Sequence, residues 1–235
     1  MKKTIHKADT RGFANHGWLK SHHTFSFASY QNPERMNFGM LRVLNDDVVQ
    51  PKMGFGTHPH RNMEIISIPI SGALSHKDSM GNKRAIEVGE VQVMSAGTGL
   101  THSEFNDSNT DATNFLQLWI IPEENEVTPY YNQKIFDEAD RKNKFQTLVS
   151  PKDKQVAGSL PIHQQGFISM IDLEKGFETE YNLKNGAYFF LIDGEVQVAD
   201  ERLENRDAIG IEATEQVTLK ASKNSKLLIV DVPMK

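Results

Sequence analysis

An apolar run that closes on a glycine turn occurs twice in this chain, as Met63 to Gly72 and again as Asn185 to Gly194, and no other feature constrains the fold as much. Short apolar runs bounded by turn glycines have the length of strands rather than helices. Their recurrence at an offset of 122 residues predicts two copies of one β-barrel unit. Neighbouring segments read the same way. Phe25 and Phe27 alternate with Ser26 and Ala28, and Met40 to Val43 resumes strand character before the polar Asn45-Asp46-Asp47. Phe115, Gln117 and Trp119 fall on one face of a strand whose other face is Leu116, Leu118 and Ile120. Further strands are expected at Gly166 to Leu173, Ala187 to Ile192, Glu195 to Ala199, Ile209 to Ile211 and Leu227 to Val232. Between the copies, Phe136 to Phe145 is highly charged and reads as a linker or short surface helix. The expected division is therefore residues 1–135 and 136–235.

Two ligand-bearing segments lie in the first copy only. Side chains two apart on a strand share a face, so His58 and His60 aim at one spot, as do His102 and Glu104. Three imidazoles and a carboxylate suit a divalent metal, and four protein ligands leave positions free on a six-coordinate ion. Gly54 and Gly56 let the backbone bend before the first pair, and Pro59, lacking an N–H, suits an edge strand. Glu64 keeps the parity of His58 and His60, which leaves it as a fifth ligand, an acid behind the ligands, or a buried carboxylate on a ring nitrogen. His16, His22 and His23 read as surface or structural histidines, and His76, in a hairpin, as solvent-facing. At the repeat offset His58 falls on Glu180, His60 on Asn182 and Glu64 on Gly186. Only His163 of the nine histidines follows His102, so the second copy serves as scaffold.

Composition narrows the chemistry. With no cysteine, any metal must be held through nitrogen and oxygen. A net charge of -5 without a Lys/Arg block argues against direct nucleic-acid binding. The basic start Met1-Lys2-Lys3 is followed by polar Ala8 to Arg11 where a signal peptide needs an apolar stretch, and no segment has transmembrane length, so a cytoplasmic protein without membrane contact is expected.

The segments Gly17-Trp18-Leu19, Thr24-Phe25-Ser26-Phe27, Leu41-Arg42-Val43-Leu44-Asn45-Asp46-Asp47, Gly54-Phe55-Gly56-Thr57-His58-Pro59-His60, Met94-Ser95-Ala96-Gly97-Thr98-Gly99 and His102-Ser103-Glu104 together resemble the pirin family of the cupin superfamily, in particular its bacterial quercetinase-like members. The likeness is specific over residues 11 to 125 and loose beyond. It implies an all-β bicupin, two facing antiparallel barrels with one metal in the N-terminal barrel. Carried over by motif position, the family's ligands are His58, His60, His102 and Glu104. Typical cupins take their carboxylate from the first motif, where Glu64 stands. Here Ser95 replaces the proline of the general second motif and His102 comes two residues late, as in pirins, so Glu104 takes the ligand role and Glu64 a place behind it.

The same resemblance implies a quercetin 2,3-dioxygenase-like oxidoreductase that uses O2 to open a flavonol ring, yielding a depside and carbon monoxide. Glu104 or Glu64 would take the substrate's hydroxyl proton. Iron(II) is the metal the family suggests first, and the donor set also admits nickel, manganese, copper or zinc. Phe38, Met53, Phe55, Met94 and Phe115 are candidate pocket walls or ordinary core. Because pirins also include nuclear proteins that bind transcription regulators, a non-enzymatic metal-binding protein with a regulatory protein partner is the alternative, and another cupin reaction is a third. A monomer is expected, since the bicupin already pairs two barrels.

Overall fold

The computed structural model describes residues 1–235, and its regular structure is almost wholly β. The first half contains β1 (Lys2–His6), β2 (Gly12–Asn15), β3 (Leu19–His23), β4 (Leu41–Val49), β5 (Gly54–His60), β6 (Glu64–Ser71), β7 (Ala73–Asp78), β8 (Lys83–Glu87), β9 (Glu90–Ser95), β10 (Leu100–Phe105), β11 (Thr113–Ile120) and β12 (Tyr130–Ile135). The second contains β13 (Gln146–Pro151), β14 (Leu160–Ile162), β15 (Phe167–Leu173), β16 (Glu178–Asn182), β17 (Gly186–Asp193), β18 (Glu195–Val198), β19 (Glu201–Glu204), β20 (Ala208–Glu212), β21 (Gln216–Ala221) and β22 (Ser225–Val232). The charged connection between them contributes one 3-10 turn, Glu138–Arg141, anchored by Arg141 Nε donating to Asp172 at 2.9 Å.

Each half is a seven-stranded sheet packed on a four-stranded one. The orders are β12-β9-β6-β11-β4-β3-β2 with β5-β10-β7-β8, and β1-β20-β17-β22-β15-β13-β14 with β16-β21-β18-β19. The two correspond strand for strand except at one edge, where β14 runs parallel to β13 but β2 antiparallel to β3, and at the offset of 122 β6 falls on β17 from end to end. One strand is exchanged: the place that β12 holds in the first sheet belongs in the second to β1, antiparallel to β20. Buried His6 sits on this exchanged strand, its Nδ1 2.7 Å from the Tyr188 hydroxyl. Near the other end of the chain the Pro233 carbonyl accepts from the Met40 N–H at 2.9 Å.

Two sequence expectations shift by a few residues. Strand β3 stops at His23, and the segment after it is irregular, with Phe27 bridging to Tyr30. Strand β4 does not end before Asn45-Asp46-Asp47 but runs through them to Val49, because both neighbours, β3 and β11, continue to pair there.

The seven-stranded sheets meet face to face in a cluster of 25 buried residues, to which β6 and β11 give Ile66, Ile68, Leu116 and Leu118 and the second barrel gives Ile168, Tyr188, Phe190 and Val230. Each such aliphatic side chain contributes about 1.5–3 kcal/mol by leaving water. The barrel interiors differ. Sixteen buried residues, among them Phe189, Val196, Leu219 and Ile229, fill the second. The first holds only separate clusters of five and four, leaving space between them. The second barrel's counterpart of the β5–β10 pairing joins Glu180 to Thr218, both exposed, so it has neither ligands nor room.

Candidate metal centre

Strand β5 is an edge strand, so the missing N–H of exposed Pro59 leaves no ladder bond unmade. Its pairing with β10 sets His58 opposite His102 but Phe55 opposite Glu104, so three residues of β5 answer two of β10. This bulge falls at Gly56-Thr57 and re-aims His58. Gly54 has its own reason, since a Cβ there would strike the Glu104 carbonyl.

His58, His60 and His102 converge, with ring centroids 4.4 to 4.9 Å apart. His60 Nε2 and His102 Nε2 are 3.0 Å apart. His58 Nδ1 lies 2.8 Å from the Gly56 carbonyl, to which it donates, leaving Nε2 as the lone-pair nitrogen. Burial, and then the neighbouring rings, push the pKa of His60 down to about 4 and that of His102 to about 2. His60 and His102 are therefore in the neutral state that a metal ligand requires.

Glu104 is buried beside them on β10. Gln117 Nε2 on β11 donates to both its carboxylate oxygens at 3.2 Å, and the Ser67 hydroxyl on β6 lies 3.4 Å away. Burial raises its pKa, against the pull of the Gln117 hydrogen bond and of His76. Potential ligand atoms fall into two overlapping groups, His58-His60-His102 and His76-His102-Glu104, which share His102.

His76 is not solvent-facing. It is 1% exposed, because Leu74, His76 and Asp78 all point inward from β7. Its Nε2 lies 3.1 Å from Asp78 Oδ2 and its Nδ1 3.5 Å from His102 Nδ1. The inward alternation from Leu74 was the available signal, obscured by the polar hairpin that follows. Glu64 also stands elsewhere than expected. Asn62, at φ +49°, breaks the strand between β5 and β6, so parity restarts and Glu64 faces the second barrel with Ile66 and Ile68. There it accepts from Ser95 Oγ at 2.6 Å and lies 3.6 Å from His163 Nδ1.

A cavity of about 400 Å3 opens onto His58, His60 and Glu104. Its apolar walls are Trp18 with Phe55, ring centroids 5.2 Å apart, and Phe27 with Trp119, 5.4 Å apart. Of the five apolar wall candidates only Phe55 lines it. Phe38 lies in the core between the barrels, Phe115 and Met94 in the two small clusters, and Met53 is exposed. His16 and His23 line the cavity, whereas His22 packs at a tilt against Phe13.

The donors fit a divalent cation. Ligands at about 2.1 Å in neighbouring octahedral positions stand roughly 3 Å apart, as the His60 and His102 nitrogens do. His58, His60 and His102 with Glu104 would hold the ion.

The family described as Pirin matches residues 5–120, and the one described as Quercetinase C-terminal cupin domain matches residues 147–232. Over 231 residues the chain is 41% identical to quercetin 2,3-dioxygenase of Escherichia coli (strain K12), covering 97% of this chain and 98% of that one. It is 41% identical over 225 residues to a pirin-like protein of Caulobacter vibrioides, covering 95% and 96%. Among solved structures it is similar to the bacterial pirin YhhW in complex with nickel(II) from Escherichia coli, with a TM-score of 0.93 at 39% identity over 99% of each chain.

Proposed function

This chain belongs to the pirin family, with the two-barrel cupin fold, and on that premise we propose that it is a metal-dependent dioxygenase opening the ring of flavonols such as quercetin with O2. The observation that carries this reading is the convergence of His58, His60 and His102, with the buried carboxylate of Glu104 beside His102, at an aromatic-walled cavity that His58, His60 and Glu104 line. A divalent ion held by His58, His60, His102 and Glu104 supplies Lewis acidity, and its residual charge of about +1 favours an anionic ligand. Iron(II) is the ion we propose, with nickel(II), with which the solved relative is in complex, as the first alternative.

The chain's own residues do the rest. Gln117 fixes the plane of Glu104, which stands to accept the proton of the flavonol 3-hydroxyl. Trp18, Phe55, Phe27 and Trp119 form walls against which a flat ring system packs and which keep bulk water from the reacting edge. Glu64, turned toward the second barrel, takes no part in proton transfer. Every lining residue comes from the first half of one chain, so a monomer suffices. A purely regulatory metal protein would need no ligand cavity at its ion, and the space beside these histidines favours the enzymatic reading. No helix is long and apolar enough to cross a membrane.

The test is oxygen-dependent quercetin turnover by protein loaded with iron(II) or nickel(II), with carbon monoxide quantified and Glu104→Ala run alongside. Carbon monoxide from the wild type and little from the variant is expected. No turnover with metal confirmed in place would reject the flavonol reading.

A further inference from the structure

The first seven-stranded sheet has a transverse line of polar residues where a barrel interior is ordinarily apolar. In register, His23 on β3 lies beside Asn45 on β4, then Gln117 on β11, Ser67 on β6 and Gln92 on β9. Direct cross-strand neighbours share a face, so the line runs along the inner wall. Its middle has an evident use, since Gln117 and Ser67 hold Glu104.

The β3–β4 end has none. Asn45 Oδ1 and His23 Nδ1 are buried without a hydrogen-bond partner, and so is Asp47 Oδ1, two residues further along the same face of β4. Asp47 is 3% exposed and lies opposite Ser21, and all four residues line the cavity. They belong to the sheet facing the one that bears His58 and His102. Buried acceptors left unpaired in a folded protein are uncommon, and two on one strand face, at the wall of a ligand-sized cavity, call for a donor from the ligand. The paired aromatic walls between this end and the histidines fit a planar ring.

We propose that Asn45 and Asp47, flanked by Ser21 and His23, form a recognition subsite for a phenolic hydroxyl other than the one at the metal, so that the site selects polyhydroxylated aromatics over unsubstituted ones. This rests on the flavonol reading and specifies which part of the substrate the second sheet reads. Both oxygens accept, so a hydroxyl that donates satisfies them, whereas an ether or a bare ring edge leaves them unpaired.

Two probes separate the subsite from the metal-binding edge. Quercetin and 3-hydroxyflavone carry the same 3-hydroxyl and 4-carbonyl, and only quercetin has further phenolic groups. Dissociation constants are measured with nickel-loaded protein under anaerobic conditions, so that nothing turns over. The expected result is quercetin bound about tenfold more tightly by the wild type. In Asp47→Ala that preference falls toward unity with 3-hydroxyflavone affinity nearly unchanged, while Asp47→Asn, which keeps an oxygen acceptor, retains most of it. Asn45→Ala gives the same readout should Asp47→Ala not fold. Equal affinity for both probes in the wild type, or equal loss for both in the variants, would overturn the subsite and leave the flavonol reading standing. Failure of both probes to bind nickel-loaded protein would overturn both.

Discussion

His76 stands directly behind His102, the Nδ1 atoms of the two buried rings 3.5 Å apart. A single proton arrangement satisfies the whole chain of contacts. If His102 turns its Nε2 lone pair to the ion, its Nδ1–H donates to His76 Nδ1, and the Nε2–H of His76 donates to Asp78 Oδ2 at 3.1 Å. Asp78 is held in turn by the N–H groups of Met80 and Asn82 and by the Asn82 amide. Partners of this kind orient a ligand and strengthen it as a base. His76→Leu is expected to weaken nickel(II) binding by about 10- to 100-fold, and Asp78→Asn by less, as read by calorimetric titration. His102→Ala should remove tight binding altogether. Metal affinity indifferent to both His76 and Asp78 would show that the chain of contacts does not support the ion.

Glu64 should make stability depend on pH. Burial lifts its pKa from 4.5 to about 7, against the opposing Ser95 hydrogen bond. The folded state thus keeps a proton that the unfolded state releases, so the contribution is full below pH 4.5 and is lost as pH rises through 7. The full difference is on the order of 3 kcal/mol. Glu64→Gln should therefore flatten the urea-unfolding free energy between those limits relative to wild type and be the more stable protein at pH 8. Parallel curves would contradict the buried-carboxylate assignment.

The loop ahead of β10 tolerates no side chain at Gly97. Its φ is +45°, and an added Cβ would run into the Val127 carbonyl, which already accepts the Thr98 N–H at 2.9 Å. Gly97→Ala should cost about 2–4 kcal/mol and lower metal affinity with it. At Gly81 in the β7–β8 hairpin φ is also positive, but a Cβ meets nothing, so Gly81→Ala should cost about 1 kcal/mol. Thermal unfolding of the pair separates collision from backbone strain.

Trp119 reports the site optically. Its ring packs edge-on to His60, with centroids 5.0 Å apart. Nickel(II) or copper(II) should quench tryptophan emission, and Trp119→Phe should remove most of that quenching while Trp18→Phe preserves it. The reverse pattern would place the ion away from His60.

Strand parity pairs His58 with His60 and His102 with Glu104, and both pairs lie on the β5–β10 ladder, because the two-residue alternation holds over a short strand and the bulge at Gly56-Thr57 leaves each pair intact. The choice of Glu104 over Glu64 came from the family resemblance. Parity failed at Glu64, where a single left-handed residue, Asn62, resets which side faces in. It also missed Asn45 and Asp47. Three consecutive polar residues look like a turn, and only cross-strand pairing, which is not local, keeps them in β4. The repeat was legible to the residue at β6 and β17, yet nothing local announces that β1 completes the other barrel, since its partner strand lies some 200 positions away.

That exchanged strand has a consequence for synthesis on the ribosome. Residues 2–6 emerge some 200 positions ahead of Ala208–Glu212, with which they pair. Until then the second sheet lacks an edge, and Ile66, Ile68, Leu116 and Leu118 of the nascent first barrel have nothing to cover them. Residues 2–6 can therefore settle only after β20 has been made, and the interval is one in which chaperones or premature association compete for an uncovered apolar face.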